Sequence, residues 1–139
     1  FELTKKRMDI RNLENGAIII NDAYNASYES MRASIEFLAN HTGTRKIAVL
    51  GDMFELGEYS EELHRKVGKE VVKNNIDVLV TVGELSININ NVVNTKENYH
   101  FENNKEAEVF LNKELKQGDV ALFKASNGMK FFEIIEKLK

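Results

Sequence analysis

The sequence contains no cysteine and no proline in 139 residues. Without cysteine, the chain can form no disulfide framework, no thiolate zinc site and no cysteine nucleophile. Its three histidines, His41, His64 and His100, are scattered along the chain, and we predict no metal site. No apolar run approaches the roughly 18 residues of a membrane span, and the N-terminus lacks a secretory pattern. We therefore expect a cytoplasmic protein with no membrane span.

The charges of the chain nearly balance. Its 19 basic and 22 acidic residues give a formal net charge of -3, which argues against a surface that binds nucleic acid by bulk electrostatics. Apolar residues make up 42% of the sequence and charged residues 29%, as in globular rather than disordered proteins. Because there is no linker-like segment and no repeat, we predict a single domain over residues 1–139.

Two phosphate-binding motifs are missing. The sequence has no Gly-x-x-x-x-Gly-Lys-Ser/Thr loop and no Gly-x-Gly-x-x-Gly, the glycine-rich motifs whose backbone amides hold phosphates. This chain alone therefore has no recognisable cradle for a triphosphate or a dinucleotide.

The hydrophobic pattern alternates between the periods of strands and of helices. It predicts strands at 17–20, 46–51, 77–83 and 120–124, a brief strand at 100–101, and helices at 28–40, 61–74, 105–115 and 129–138, with a short helix around 87–93. Ser27 and Ser60 stand where helix N-caps belong. Such alternation indicates an α/β fold with a mostly parallel sheet and helices on both faces. The turn at Asn15-Gly16 predicts a hairpin, and hence one antiparallel edge strand.

Polar residues follow four of these strands, and ligands of open α/β sheets bind beyond the carboxyl ends of the strands. The segments are 21–27, 51–57, 83–84 and 124–128. The same residues also fit a structural role, in which Asp22, Asn25 and Ser27 form Asx turns and a helix cap, and Asp52 caps its own loop. For His64 we expect a partly exposed packing role rather than catalysis.

Read in order, these segments resemble one family. They are DAYNAS at 22–27 with ESM at 29–31, VLGDMFELG at 49–57, His64, and KASNGM at 124–129. In this combination they resemble the C-terminal domain of the Mur ligases over nearly the whole chain, from residue 4 to the end. The resemblance is greatest to the members that join D-alanyl-D-alanine to UDP-MurNAc-tripeptide in peptidoglycan biosynthesis.

The resemblance implies a Rossmann-like three-layer sandwich with one antiparallel strand, in a three-domain enzyme. The partners of this domain would be the N-terminal domain and the central ATPase domain, with residues 1–8 forming the junction to the latter. The implied reaction uses ATP and Mg²⁺ to phosphorylate the tripeptide carboxylate, and the amine of D-alanyl-D-alanine then attacks the acyl phosphate. Because the chain lacks a phosphate loop, we expect it to be inactive alone.

The resemblance also implies the roles of individual residues. Arg7, at the junction, is implied to reach the ATP phosphates, and Asp22 to act near the interdomain hinge; both are candidate catalytic residues. The implied ligand-site residues are Tyr24 and Asn25, with Arg7, for the nucleotide, and Asp52, Glu55, Lys124 and Ser126 for the amino substrate.

This sequence departs from the family pattern at three positions. Tyr28 stands where the family usually has proline, so the entry of that helix is expected to differ. Ala125 and Asn127 replace the usual glycine and arginine of the last motif. Loss of the arginine fork weakens the expected hold of this segment on a carboxylate.

The sequence is also compatible with two other functions. A phosphoacceptor signalling module also places acids and a lysine at strand ends, as Asp22, Asp52 and Lys124 do here. Such a module needs two adjacent acids where this chain has Asn21-Asp22, and an acceptor after the third parallel strand, where Glu84 stands. A non-catalytic domain that binds a small ligand is the other alternative, because a fold does not determine a function.

Overall fold

The computed structural model describes residues 8–94 and 97–139. The strands are β1 Asp9–Asn12, β2 Ile18–Asn21, β3 Arg45–Gly51, β4 Val78–Val82, β5 Glu97–Phe101 and β6 Asp119–Lys124. The α-helices are α1 Tyr28–Asn40, α2 Ser60–Lys73, α3 Ile87–Asn90, α4 Asn104–Glu114 and α5 Phe132–Ile135, and short 3₁₀ turns lie at Gly57–Tyr59 and Asn127–Met129.

The described strands form one six-stranded sheet in the order β1-β2-β6-β3-β4-β5. The β1–β2 pair is antiparallel and every other pair is parallel. The predicted mostly parallel α/β sheet with one antiparallel edge strand is therefore confirmed. The β1–β2 turn closes through a Leu13 N–H to Ala17 O bond of 2.8 Å, and Gly16 takes the positive φ of 96° that favours glycine.

Buried side chains cover both faces of the sheet. Along β3, Ile47 and Val49 join the apolar cluster under α4 and α5, whereas Ala48 and Leu50 join the cluster under α1, α2 and α3. Because successive side chains of a strand point to opposite faces, a strand covered on both sides is continuously apolar. The result is the three-layer sandwich expected from the sequence. In the part of the chain described, no helix is long and apolar enough to cross a membrane.

Two predicted helix boundaries are wrong. Ser60 is not an N-cap but the first residue of α2, because the 3₁₀ turn Gly57–Tyr59 runs directly into the helix. The single helix predicted at 129–138 is instead a 3₁₀ turn followed by the short α5, separated by Lys130 with a φ of 57°. This left-handed residue ends the 3₁₀ turn, and Phe131, which follows it, is 1% exposed and packs in the core. A Cβ at Gly51 would lie 2.8 Å from that ring.

Candidate functional site

The order of the strands brings three of the predicted segments together. Strands β2, β6 and β3 are parallel neighbours, so their carboxyl ends meet at one edge of the sheet, with β4 beside β3. The last strand, β6, lies between the first two parallel strands of the chain. Lys124, at the end of β6, therefore stands between Asp22, after β2, and Asp52, after β3.

Asp22 and Lys124 form an ion pair at this edge. The Lys124 Nζ lies 3.0 Å from Asp22 Oδ2, and the Ser34 hydroxyl of α1 donates to the same oxygen. Lys124 is 4% exposed, whereas the Asp22 side chain keeps 16% of its surface. The carboxylate is thus fixed from two sides, and the ammonium already has an anionic partner. Substrate binding by Lys124 stays a prediction.

Sequence reasoning did not find Ser34. It lies on the inner face of α1, where it is buried together with Met31, Ile35 and Leu38. A hydroxyl among apolar residues at helical spacing was the available signal, because a buried polar group needs a hydrogen-bond partner. Its partner, Asp22, is 12 residues earlier in the chain.

The segment that follows β2 is bent by local hydrogen bonds. Asn21 Oδ1 accepts from the Ala23 N–H at 3.2 Å, so the Asx turn uses Asn21 rather than Asp22. Ser27 is the N-cap of α1, as predicted, in a reciprocal capping box with Ser30. Asn25 is exposed, and its Oδ1 accepts from the adjacent amide of residue 26 at 2.9 Å.

Tyr24 connects this segment to the antiparallel edge strand. Its hydroxyl donates to Asp9 Oδ2 at 2.6 Å, and this hydrogen bond, more than burial, raises the pKa of Tyr24 above its usual value. The ring remains partly exposed. Nucleotide binding by Tyr24 and Asn25 stays a prediction, and Arg7, assigned to the same ligand, lies outside the described residues.

Asp52 bonds the backbone of the next strand end. Its Oδ1 accepts from the N–H groups of Leu85 and Ser86 at 3.0 and 2.7 Å, and the residue is 5% exposed. Gly83 makes this approach possible, because its φ is 115° and a Cβ there would lie 2.6 Å from the same oxygen. These contacts support a structural role, and the predicted contact of Asp52 with substrate remains untested.

The segment 52–57, which we name the acceptor loop, is also joined to the end of β6. The Phe54 N–H donates to Ser126 Oγ at 2.8 Å, and the Ser126 N–H donates to the Asp52 carbonyl at 3.0 Å. Phe54 is 40% exposed, and Glu55 is exposed with a φ of 65°. The loop thus presents one aromatic ring and one carboxylate to solvent.

His64 supports the acceptor loop from beneath. The residue has no exposed surface, so the expectation of partial exposure is wrong, while its packing role is confirmed. The His64 Nε2 accepts from the Met53 N–H at 3.0 Å, and Nδ1 lies 2.7 Å from the Ser60 carbonyl. Burial is the largest cause of a lowered pKa for His64.

A cleft among the described residues lies away from this edge. It has a volume of about 720 Å³ and is lined by Arg45, Asp77, Glu97 and Asp119, among others, at the amino ends of the strands. Arg45 binds Asp119 at 3.0 Å and Glu114 at 2.9 Å, and these bonds raise its pKa. The cleft is thus lined by an ion-pair network at the amino ends of the strands, on the edge of the sheet opposite the candidate site.

The chain is similar in sequence and in structure to known proteins. A profile of the family described as "Mur ligase, glutamate ligase domain" matches residues 6–127. The chain is similar to the UDP-N-acetylmuramoyl-tripeptide--D-alanyl-D-alanine ligase of Bacillus subtilis, with 37% identity over 99% of this chain and 31% of that protein. It thus spans about a third of the length of the curated relatives it matches.

Solved structures agree with the sequence relatives. The MurF ligase from Thermotoga maritima in complex with ADP superposes with a TM-score of 0.81 at 31% identity, over 96% of this chain and 30% of that one. MurF from Acinetobacter baumannii gives a TM-score of 0.83 at 26% identity, with the same coverage. The profile match extends over the strand-end segments of the site, and the chain therefore belongs to the Mur ligase family, of which it represents the glutamate ligase domain.

Proposed function

We propose that the chain is the C-terminal domain of an ATP-dependent ligase that joins D-alanyl-D-alanine to UDP-MurNAc-tripeptide in peptidoglycan synthesis. The observation that carries the proposal is the similarity to ligases named for this reaction over 99% of the chain, a length that includes every segment of the candidate site. Because the chain lacks a phosphate loop, the activity belongs to the longer protein. We also place that protein in the cytoplasm, where ATP is available.

One end of the site suits a nucleotide. The exposed carboxamide of Asn25 and the partly exposed ring of Tyr24 lie on the segment that begins at Asp22, and a neighbour of similar structure is in complex with ADP. We assign Tyr24 and Asn25, with Arg7, to the nucleotide, and we assign Asp22 and Arg7 to catalysis beside it. Bound ATP would supply the phosphoryl group that makes the tripeptide carboxylate a competent electrophile.

The described residues form no cluster that would hold a magnesium ion by itself. Mg²⁺ requires oxygen ligands in near-octahedral geometry, yet within the described ranges no three His, Asp or Glu side chains gather around a common point. Asp22 is bound to Lys124, and Asp52 is bound to backbone N–H groups. We therefore assign any Mg²⁺ to the nucleotide phosphates and to the rest of the enzyme.

The acceptor loop suits the amino substrate. The exposed carboxylate of Glu55 is the charge on this loop that can attract the ammonium group of D-alanyl-D-alanine, and the exposed ring of Phe54 gives its methyl groups an apolar surface. We assign Asp52, Lys124 and Ser126 to the same side. Their hydrogen bonds hold the ends of β3 and β6 in one arrangement, and oriented binding groups lower the barrier of a reaction between two substrates.

A ligation assay tests the proposal. The chain is assayed alone and mixed with separately produced N-terminal and central domains, with UDP-MurNAc-tripeptide, ATP, Mg²⁺ and D-alanyl-D-alanine, and a longer protein that contains the chain serves as reference. We expect ligation by the longer protein and by the mixture but not by the chain alone. Asp22→Asn should lower turnover about tenfold or more, whereas Glu136→Gln, exposed in the last turn, should leave it unchanged. Failure of the longer protein to ligate these substrates would refute the proposal.

A further inference from the structure

The backbone of the acceptor loop leaves the sheet directly after β3. From Met53 onward, its N–H groups have no partner in a strand, although Met53 itself has no exposed surface. A buried N–H without a partner costs about as much as a lost hydrogen bond. The Phe54 N–H binds Ser126, and the Met53 N–H binds the imidazole of His64. Two side chains from distant elements therefore hold two consecutive amides.

The two contacts of the ring determine its protonation state. The Ser60 carbonyl can only accept, so the Nδ1 of His64 donates to it at 2.7 Å. The Met53 N–H can only donate, so Nε2 must offer a lone pair. His64 is thus a neutral imidazole with its proton on Nδ1, and both nitrogens are used.

We propose that His64 is a positioning residue for the amino substrate. Its neutral imidazole accepts from the Met53 N–H and so holds Met53 in the core. This contact places the neighbouring exposed side chains, Phe54 and Glu55, at the carboxyl edge of the sheet, on the side that we assign to the amino substrate. The inference rests on the proposed function, because it assigns His64 to the same site. Beyond the roles that the resemblance implies, the site then also requires a free lone pair on the Nε2 of buried His64.

Protonation of the ring would remove this contact. A proton on Nε2 would point at the Met53 N–H, and two donors would then face each other where neither residue has exposed surface. Of the charged groups around His64, the carboxylate of Asp52 favours the protonated ring, but burial opposes it more strongly. On its own helix, Glu61 and Arg65 pair with each other at 3.3 Å. On the adjacent α1, Arg32 and Glu36 likewise pair at 3.4 Å, and α3 carries no ionisable residue.

Two substitutions in the longer protein separate positioning from packing. His64→Gln keeps a neutral hydrogen-bond acceptor within reach of the Met53 N–H. His64→Leu fills a similar volume with an apolar side chain that offers no acceptor. We expect His64→Leu to raise the KM for D-alanyl-D-alanine about tenfold and the KM for ATP less than about twofold. We expect His64→Gln to remain within about twofold of the unmodified enzyme in both. His41→Leu, at the end of α1, is the control and should change neither constant.

A measurement on the chain itself does not depend on any activity. Long-range ¹H–¹⁵N spectra should show His64 with its proton on Nδ1, the less common tautomer of a neutral histidine side chain in water. Hydrogen exchange of the Met53 amide should be about tenfold faster in His64→Leu than in the unmodified chain, and nearly unchanged in His64→Gln.

The outcomes are distinct. The positioning role would be overturned if the proton of His64 lies on Nε2. It would also be overturned if His64→Gln and His64→Leu raise the KM for D-alanyl-D-alanine equally. An equal rise of the KM values for D-alanyl-D-alanine and for ATP in His64→Leu would also overturn it. If the unmodified longer protein fails to ligate D-alanyl-D-alanine, the proposed function is wrong, and this is established before either variant is assayed.

Discussion

The ion pair between Asp22 and Lys124 allows a quantitative test of the site. Lys124→Met keeps most of the volume of the side chain and removes its charge, which leaves the Asp22 carboxylate with the Ser34 hydroxyl as its described side-chain donor. Breaking a buried ion pair by removal of one partner costs about 3–5 kcal/mol. The Asp22 side chain keeps 16% of its surface and can recover some hydration. We therefore expect Lys124→Met to lower the free energy of unfolding by about 2–3 kcal/mol.

Removing the charge of Asp22 should lower the free energy of unfolding more than removing the charge of Lys124. Asp22→Asn retains an oxygen that can accept from Ser34, but it leaves the ammonium of Lys124 without a counter-ion in a site where that residue is only 4% exposed. We expect a loss of about 3 kcal/mol or more. In the double variant neither charge remains. Its loss of stability should therefore be smaller than the sum of the two single losses by about 1–3 kcal/mol.

Urea denaturation of the four proteins measures this coupling. A shift in the midpoint at constant slope reports a change in the free energy of unfolding. Lys105→Met is the control, because its ion pair with Glu108 is at the surface and Lys105 keeps 74% of its side-chain area; we expect a change within about 0.5 kcal/mol. If both single variants also lie within about 0.5 kcal/mol of the unmodified chain, or if their losses simply add, the ion pair does not hold this edge.

Three further predictions concern the remaining contacts of the site. Asp52→Ala should lower the free energy of unfolding by about 2–3 kcal/mol, because the N–H of buried Ser86 loses its acceptor; a urea midpoint close to that of the unmodified chain would contradict this. Gly83→Ala should cost at least about 2 kcal/mol in a thermal melt, since the φ of 115° and the approach to Asp52 both oppose a Cβ. The pKa of His64 is lower in the folded state, so the unfolded chain binds the proton first, and stability should fall as the pH drops below about 6.5 by up to about 1.4 kcal/mol per unit. His64→Gln should flatten this dependence, and an unchanged slope would refute the assignment.

Local patterns predicted the elements of the fold well. The capping box of α1 formed where Ser27 indicated it, and the hairpin formed at Asn15-Gly16, because both depend on residues within a few positions of one another. The predicted boundaries failed where distant packing decided them. Lys130 adopts a left-handed conformation, the following Phe131 packs against β3, and nothing between 129 and 138 indicates the break.

The segments that meet at the carboxyl edge of the sheet were predictable, whereas the hydrogen-bond partners within them were not. Asn25 and Glu55 lie exposed in segments that follow strands, which the local pattern predicted, and their roles in binding stay predictions from the resemblance. The burial of His64 was not found, since its contact with Met53 links a helix to a loop 11 residues earlier. Asp52 likewise gave no sign that its carboxylate would accept from Ser86, 34 residues later.

The sequence by itself determined the alternation of strands and helices, the hairpin and the kinds of side chain that follow each strand, because hydrophobic period and turn chemistry act over a few residues. The tertiary structure alone decided that β6 lies between β2 and β3. That insertion pairs Lys124 with Asp22 across 102 residues of sequence. Strand order depends on pairing between strands that are far apart in the sequence, a property of the whole packed chain and not of any one segment.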